Sequence, residues 1–338
     1  MSSMRTLQYI MVSLCLLCGL AVSSCDVHEF PDPKPKEMEF TLKLNYDTNM
    51  PLYKVVEYEE KTRSALAEEY NVRHIVKAFD AEAEGSESRV ELYHFEFIND
   101  DISELNTTVK LSILPGNYNF AVWTDYVKAD NNASLYYDAN HFEEIALQGE
   151  THVGSDDLRD AFRGTVVSEV STDIVEATVE MGRPMAKFNF VSVDVEDFIV
   201  KVVSEGISPT GEDVDLSKYK AVFRYQGFMP YSYNMFTDKP ADSKVGVSFE
   251  SSLRSLSDSE AELGFDYVFV NGNESTIAVS VEIYDPQGRL ISSFKPIEML
   301  PLVRSKLTTV KARFLTSETE GGVVILPDYD GEHNIEVN

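Results

Sequence analysis

The sequence predicts an all-β protein made of two β-sandwich domains in tandem, and three observations carry that prediction. Short segments alternate apolar and polar residues with a period of two, as half-buried strands do. Turn signals rich in Gly, Pro, Asn and Asp separate these segments. The chain also breaks at Gly182-Arg183-Pro184 and then starts a second round of strand-like segments. Successive short strands without long helical stretches between them suit stacked sheets better than an alternating α/β layout.

The elements follow in order. "MEFTLKLNY" places Met38, Phe40, Leu42, Leu44 and Tyr46 on one face and polar residues on the other, so it is a half-buried strand. "EYEEKTRSALAEE" is polar loop or short helix. "RHIVKAFDA" and "RVELYHFEFI" are strands. "TVKLSIL" alternates through Val109, Leu111 and Ile113, Pro115-Gly116-Asn117 turns, and "YNFAVWTDYV" returns, which predicts a hairpin. "DANHFEEIAL" and "SDDLRDAF" have acidic starts and near-helical apolar spacing, so helical turns within loops are expected there. "GTVVSEVSTDIVEATVEM" returns to β-branched strand character. In the second round, "MAKFNFVSVDV", "YKAVFRYQG", "FDYVFV", "STIAVSVEIYD", "GRLISSF" and "SKLTTVKARFL" are strands. "GGVVILPDYDGEHNIEV" then frames an Asp/Gly turn with two short apolar runs. The expected organisation is residues 1–24 as a signal peptide, 25–37 as a linker, and sandwich domains over 38–183 and 184–338.

The N-terminal segment sets the expected location. Arg5 is followed by an apolar run from Leu7 to Val22 and by two small serines, the order of a secretory signal. Val22-Ser23-Ser24-Cys25 matches a bacterial lipobox. The thiol of Cys25 is a good nucleophile for a diacylglycerol donor, and its small neighbours admit a peptidase close to the modified residue. Of three cysteines, Cys15 and Cys18 leave with the signal. Acylation of Cys25 then leaves no thiol and no disulfide, so the sandwich cores alone must hold the fold. Three prolines and mixed charge in 26–37 describe a stiff, extended spacer.

Composition excludes some functions. With 57 acidic against 29 basic residues and a formal net charge of −28, the chain repels phosphate backbones and anionic headgroups. Nucleic acid is therefore not an expected partner. No Gly-x-Ser-x-Gly elbow, dinucleotide fingerprint or phosphate-cradling loop is present, and none of the six histidines sits at zinc-ligand spacing. Acidic runs such as "NDDISE", "GSDDLRD", "GEDVD" and "DYDGE" match neither an EF-hand nor a glycine-rich calcium repeat. No catalytic residue, metal or cofactor is expected. "YQGFMPYSYNMFTDKP" is the most aromatic stretch. Its Phe228, Tyr231, Tyr233 and Phe236 either face a glycan or protein ligand or plug a sandwich edge, and the second reading is preferred.

"LSILPGNYNFAVWTDYV", "DAFRGT", "GRPMAKFNFVSVDV" and "LPLVRSKLTTVKARFLT" followed by "GGVVILPDYDGEHNIEV" occur in that order over most of the chain after Cys25. These stretches resemble the fimbrillin-like lipoproteins, which include type V pilins and fimbrial anchor subunits of Gram-negative gut and oral bacteria. The resemblance is to a largely uncharacterised branch. It implies transthyretin-like sandwiches, an outer-membrane, surface-exposed protein tethered through a lipid on Cys25, and a role in fimbriae rather than catalysis. It also implies that other pilin-like subunits are partners by strand exchange. Polymerising members are cut after an arginine behind the first strand. Arg63, in "EEKTRSAL", lies in the polar loop and is the first candidate here; Arg73, which opens a strand, is the second. Anchor members keep their lipid and are not cut. The alternative is a surface lipoprotein that binds a glycan or host ligand through its exposed aromatics.

Overall fold

A computed structural model describes residues 35–47, 69–81, 89–100, 107–316, 323–327 and 332–337. The first half carries β1 (Met38–Tyr46), β2 (Tyr70–Asp80), β3 (Glu91–Asn99), β4 (Thr107–Ile113), β5 (Gly116–Lys128), the short β6 (Tyr137–Asp138) and β7 (Ile145–Leu147), β8 (Phe162–Val170) and β9 (Glu176–Met181). The second half opens with β10 (Met185–Ser192) and helix α1 (Val195–Ser204), followed by β11 (Lys220–Tyr225). Four short strands come next: β12 (Met229–Pro230), β13 (Ser232–Asn234), β14 (Lys239–Pro240) and β15 (Ser243–Lys244). The remainder is β16 (Ser248–Ser252), β17 (Arg254–Ser255), β18 (Ala261–Phe269), β19 (Glu274–Tyr284), β20 (Leu290–Val303), β21 (Leu307–Ala312), β22 (Val323–Pro327) and β23 (Glu332–Val337).

Burial pattern decides which layer each strand joins. β4 buries only Val109, Leu111 and Ile113, so it is an outer-layer strand with one wet face. It pairs with β1 in the three-stranded sheet β4-β1-β9. β5 is buried on both faces from Phe120 to Val127, and β2 from Val72 to Phe79. These two strands are therefore interior, within the sheet β3-β2-β5-β8. The expected β4–β5 hairpin is thus corrected: the Pro115-Gly116 turn carries the chain from one sheet to the other. Both strands exist, but they face each other across a core instead of sharing a ladder.

One face of the β2–β5 layer packs on β1, β4 and β9. Phe40, Leu42, Leu44, Val76, Leu111, Phe120 and Phe162 belong to that cluster. The other face contributes Ile75, Phe79, Ala121 and Trp123 to a second cluster that continues through the second half. There the sheets β17-β18-β10-β21-β23-β22 and β16-β11-β19-β20 meet through edge-on aromatic pairs such as Phe190–Phe223 at 5.4 Å and Phe188–Tyr225 at 6.3 Å. Residues 38–338 form one compact unit. A small sheet, β14-β13-β7-β6, draws two strands from each half.

The two halves repeat one arrangement. β1 lies between antiparallel β4 and parallel β9. β10 lies between antiparallel β18 and parallel β21. In each half the first strand is thus central, and the strand on its parallel side comes late in that half.

Two local expectations change. Residues 138–147 run from the last residue of β6 through a turn into β7, in place of a helical turn. "SDDLRDAF" does hold a single 3₁₀ turn, Asp157–Arg159, capped by the Asp156 carboxylate on the Leu158 N–H at 2.9 Å. The strand expected over "MAKFNFVSVDV" ends at Ser192, and helix α1 begins at Val195 in a stretch that carried no expectation. Its buried Val195, Phe198 and Val202 recur at near-helical spacing, and Phe198 meets Tyr219 edge-on at 5.2 Å.

The acidic loop 156–160 binds the halves together. Arg159 and Asp266 are both buried and form an ion pair. Asp266 also accepts hydrogen bonds from His152 Nε2 at 2.6 Å, Tyr225 Oη at 2.5 Å and the Tyr267 N–H at 2.7 Å. Asp157 accepts from Tyr267 Oη and Lys187 Nζ, and Asp160 from Arg183 Nε. Burial works to raise the Asp266 pKa, but Arg159 and His152 hold it below the usual carboxylate range. Breaking one partner of such a pair strands a buried charge. Arg159→Met is expected to lower unfolding free energy by about 3–5 kcal/mol in urea titration, and pairing it with Asp266→Leu is expected to recover part of that loss.

Candidate functional site

The site with the clearest geometry is the one around β1. Its alternation places Phe40, Leu42, Leu44 and Tyr46 inward, all essentially inaccessible to solvent. Each such burial contributes about 1.5–3 kcal/mol relative to exposure. Phe40 stacks on Phe120 with centroids 5.4 Å apart, and Tyr46 meets Phe162 edge-on at 5.1 Å. The outward residues instead make polar cross-strand pairs: Glu39 with Lys110 at 2.8 Å, Lys43 with Glu176 at 2.7 Å and Asn45 with Glu180 at 2.7 Å. Exposed pairs of this kind add little stability but disfavour other registers.

β1 is bonded on both edges. Its register runs from Met38 opposite Ile113 to Leu44 opposite Thr107 on one side, and from Thr41 opposite Glu176 to Tyr46 opposite Met181 on the other. The flank is held closely from behind: a Cβ on Gly164 of β8 would lie 2.6 Å from the Glu180 carbonyl of β9. Removing β1 would therefore leave a slot about 10 Å wide between two strands with unpaired backbone groups and an apolar floor.

The last inward position differs from the others. Tyr46 Oη lies 3.0 Å from His74 Nδ1 and 2.9 Å from Thr124 Oγ1, and the latter two atoms are 2.9 Å apart. His74 is on β2 and Thr124 on β5, so this polar triangle ties the end of β1 to the layer beneath. His74 Nε2 is buried without a hydrogen-bond partner. Burial lowers the His74 pKa from 6.5 to about 4 and pushes the Tyr46 phenol well up. Both groups are neutral at physiological pH.

The other sequence-predicted residues are dispersed. Arg73, expected to open a strand, lies buried within β2, with Nε and Nη2 on the Asp125 carboxylate at 2.9 and 2.8 Å. As a protease site it is corrected, since cleavage there requires a core strand to unravel. Arg63 and Cys25 lie outside the described residues, as does most of the expected spacer. Of the four aromatics, Phe228 is 78% exposed, whereas Tyr231 and Tyr233 are buried. Tyr233 stacks on Phe269 at 5.5 Å and gives its hydroxyl to Asp238. Half-buried Phe236 lies edge-on to Phe79 at 5.2 Å, beneath the Arg89 guanidinium at 4.2 Å. A four-ring ligand platform is therefore corrected to one exposed ring and three packed ones. Tyr233 belongs to β13, an interior strand of the small sheet that pairs with β14 on one side and with β7 of the first half on the other.

Sequence reasoning did not single out His74, Thr124, Arg159 or Asp266. Their one linear signal is polarity inside apolar runs, as in "RHIVKAF", "VWTDYV" and "FDYVFV". Among the described residues, no group of three or more His, Cys, Asp or Glu could hold a metal ion. No described helix is long and apolar enough to cross a membrane.

Residues 31–338 match the model of a family of unknown function (DUF6562), and the chain belongs to that family. No curated protein matches it. Among solved structures it is similar to a candidate adhesin from Bacteroides thetaiotaomicron VPI-5482, with 13% identity, TM-score 0.43, and coverage of 78% of this chain and 81% of that one. It is also similar to a candidate cell adhesion protein from Bacteroides uniformis ATCC 8492, with 12% identity, TM-score 0.43, and coverage of 89% and 98%. A third is a fimbrial assembly protein from Parabacteroides distasonis ATCC 8503, with 12% identity, TM-score 0.37, and coverage of 81% and 90%. Likenesses this loose assign neither fold nor function.

The neutral imidazole makes stability depend on pH. Because folding depresses the His74 pKa, the unfolded chain binds more protons between pH 6.5 and about 4. The His74 contribution is complete above 6.5 and is lost as pH falls through that window, by ~3 kcal/mol in all. Urea titrations at several pH values are expected to show this loss in the wild type and to show it removed in His74→Gln, after the lower baseline stability of that variant is subtracted.

Proposed function

We propose that this chain is a structural lipoprotein of the cell surface that joins other subunits by exchanging its first strand. The observation that carries this reading is the position of β1. The first strand is also the middle strand of its sheet, bonded on both edges and buried on one face from Phe40 to Tyr46. A middle strand at the start of a fold can be released by one backbone cut before β2 while β4 and β9 stay attached. The slot it leaves accepts an extended segment of a neighbouring subunit by β-strand addition, with main-chain bonds for affinity and side-chain pockets for specificity.

The sequence supports the same reading. Cys25 carries the lipid that delivers the chain to the outer membrane, and the spacer holds an acidic body away from anionic headgroups. Arg63 lies between β1 and β2, where a cut removes lipid, spacer and first strand together. If Arg63 stays intact, the same parts make an anchor instead.

The two fates separate by N-terminal sequencing of protein from outer membranes and from sheared surface filaments. A polymerising subunit is expected to begin after Arg63 in filaments, and an anchor to begin at a blocked Cys25 in both fractions. Purified protein that stays monomeric, never forming SDS-resistant high-mass species with or without arginine-specific proteolysis, would sink the strand-exchange reading.

A further inference from the structure

We propose that the Tyr46–His74–Thr124 triangle is a specificity lock that selects partner strands bringing a phenolic hydroxyl to the last inward position of the β1 slot. This inference rests on the strand-exchange reading above and names the chemistry of the partner. The slot is otherwise undemanding: Phe40, Leu42 and Leu44 meet an apolar floor, where one apolar side chain substitutes for another at modest cost. At the Tyr46 position the floor is polar. His74 Nδ1 and Thr124 Oγ1 converge on the phenol oxygen at 3.0 and 2.9 Å, and His74 is only 1% exposed.

The hydrogen-bond inventory makes the lock selective. His74 Nε2 already has no partner, so the imidazole depends on Nδ1 for its bonding. A strand with phenylalanine at this position leaves Nδ1 and Thr124 Oγ1 bonded only to each other. A strand with leucine or valine also loses the edge-on contact with Phe162 at 5.1 Å. Leaving buried polar groups underbonded is far costlier than a change of apolar volume, so the hydroxyl discriminates where the rest of the slot does not. The accepted partner is an extended segment with alternating apolar residues that ends inward on tyrosine, as β1 itself does.

The test uses the full chain with a specific protease site inserted beside Arg63. After cutting, it is offered labelled peptides of sequence MEFTLKLNY or MEFTLKLNF. Capture of the tyrosine peptide is expected to be about tenfold to a hundredfold tighter. That ratio is expected to persist in Thr124→Val, where the tyrosine hydroxyl becomes the one partner of His74 Nδ1, and to fall to one or below in the double variant His74→Leu, Thr124→Val, which removes both groups that meet the phenol oxygen. Equal capture of both peptides overturns the lock and leaves strand exchange standing. Capture of neither overturns strand exchange and, with it, any selection of partners. In the uncut chain, a cycle of Tyr46→Phe against that double variant reads the same triangle through unfolding. Coupling indistinguishable from zero overturns the lock whatever the peptides do.

Discussion

The fold depends on a buried charge. Asp266 sits in β18 of the second half, is fully buried, and meets Arg159 from the capped turn of the first half. Taking two such ions out of water costs several kcal/mol each, which only full hydrogen bonding offsets. His152, Tyr225 and the Tyr267 amide supply the remaining bonds to the carboxylate. All these groups must arrive together, so the loop 152–160, β11 and β18 are committed to one arrangement. The apolar cluster that runs from Ile75 and Trp123 into the second half then packs around that commitment.

This junction holds the β2–β5 layer from the side that β1 does not touch, as the proposed release of β1 requires. The β2–β5 layer is held from its far side by the second half and by the Arg159–Asp266 pair. β1, β4 and β9 cover its near side. The near side is apolar along most of its length. It becomes polar only where Tyr46 reaches His74 and Thr124. Under the proposed strand exchange, apolar area and ladder bonds would hold a strand in this place and the hydroxyl at its last inward position would identify it.

How much of this was legible differs from residue to residue. The Met38–Tyr46 strand was readable to its ends, because strict alternation over nine residues leaves one solution for a strand wet on one face. Its neighbours were not readable. "TVKLSILPGNYNFAVW" contains a sound turn between two sound strands, yet the strands occupy different sheets. The clue lay in β5, whose apolar and aromatic run continues past simple alternation, as expected for a strand buried on both faces. Tyr231 and Tyr233 show the converse. Aromatic composition marked their loop, but only the tertiary structure, which stacks Tyr233 on Phe269 and buries Tyr231, fixes which rings face inward.

By itself the sequence determined the all-β class, most strand positions, the absence of familiar catalytic motifs, and the alternation that makes β1 a half-buried strand. These are properties of neighbouring residues, set by side-chain period, turn chemistry and ligand spacing along the chain. Only the tertiary structure decided which strands share a sheet, that Arg73 is a core residue, and that Asp266 and Arg159 find each other. It also decided that Tyr46 meets His74 and Thr124. Those are contacts between residues separated by 28 to 107 positions. No local rule encodes them, because the cost of burying each polar group is offset only by a partner that another part of the chain delivers.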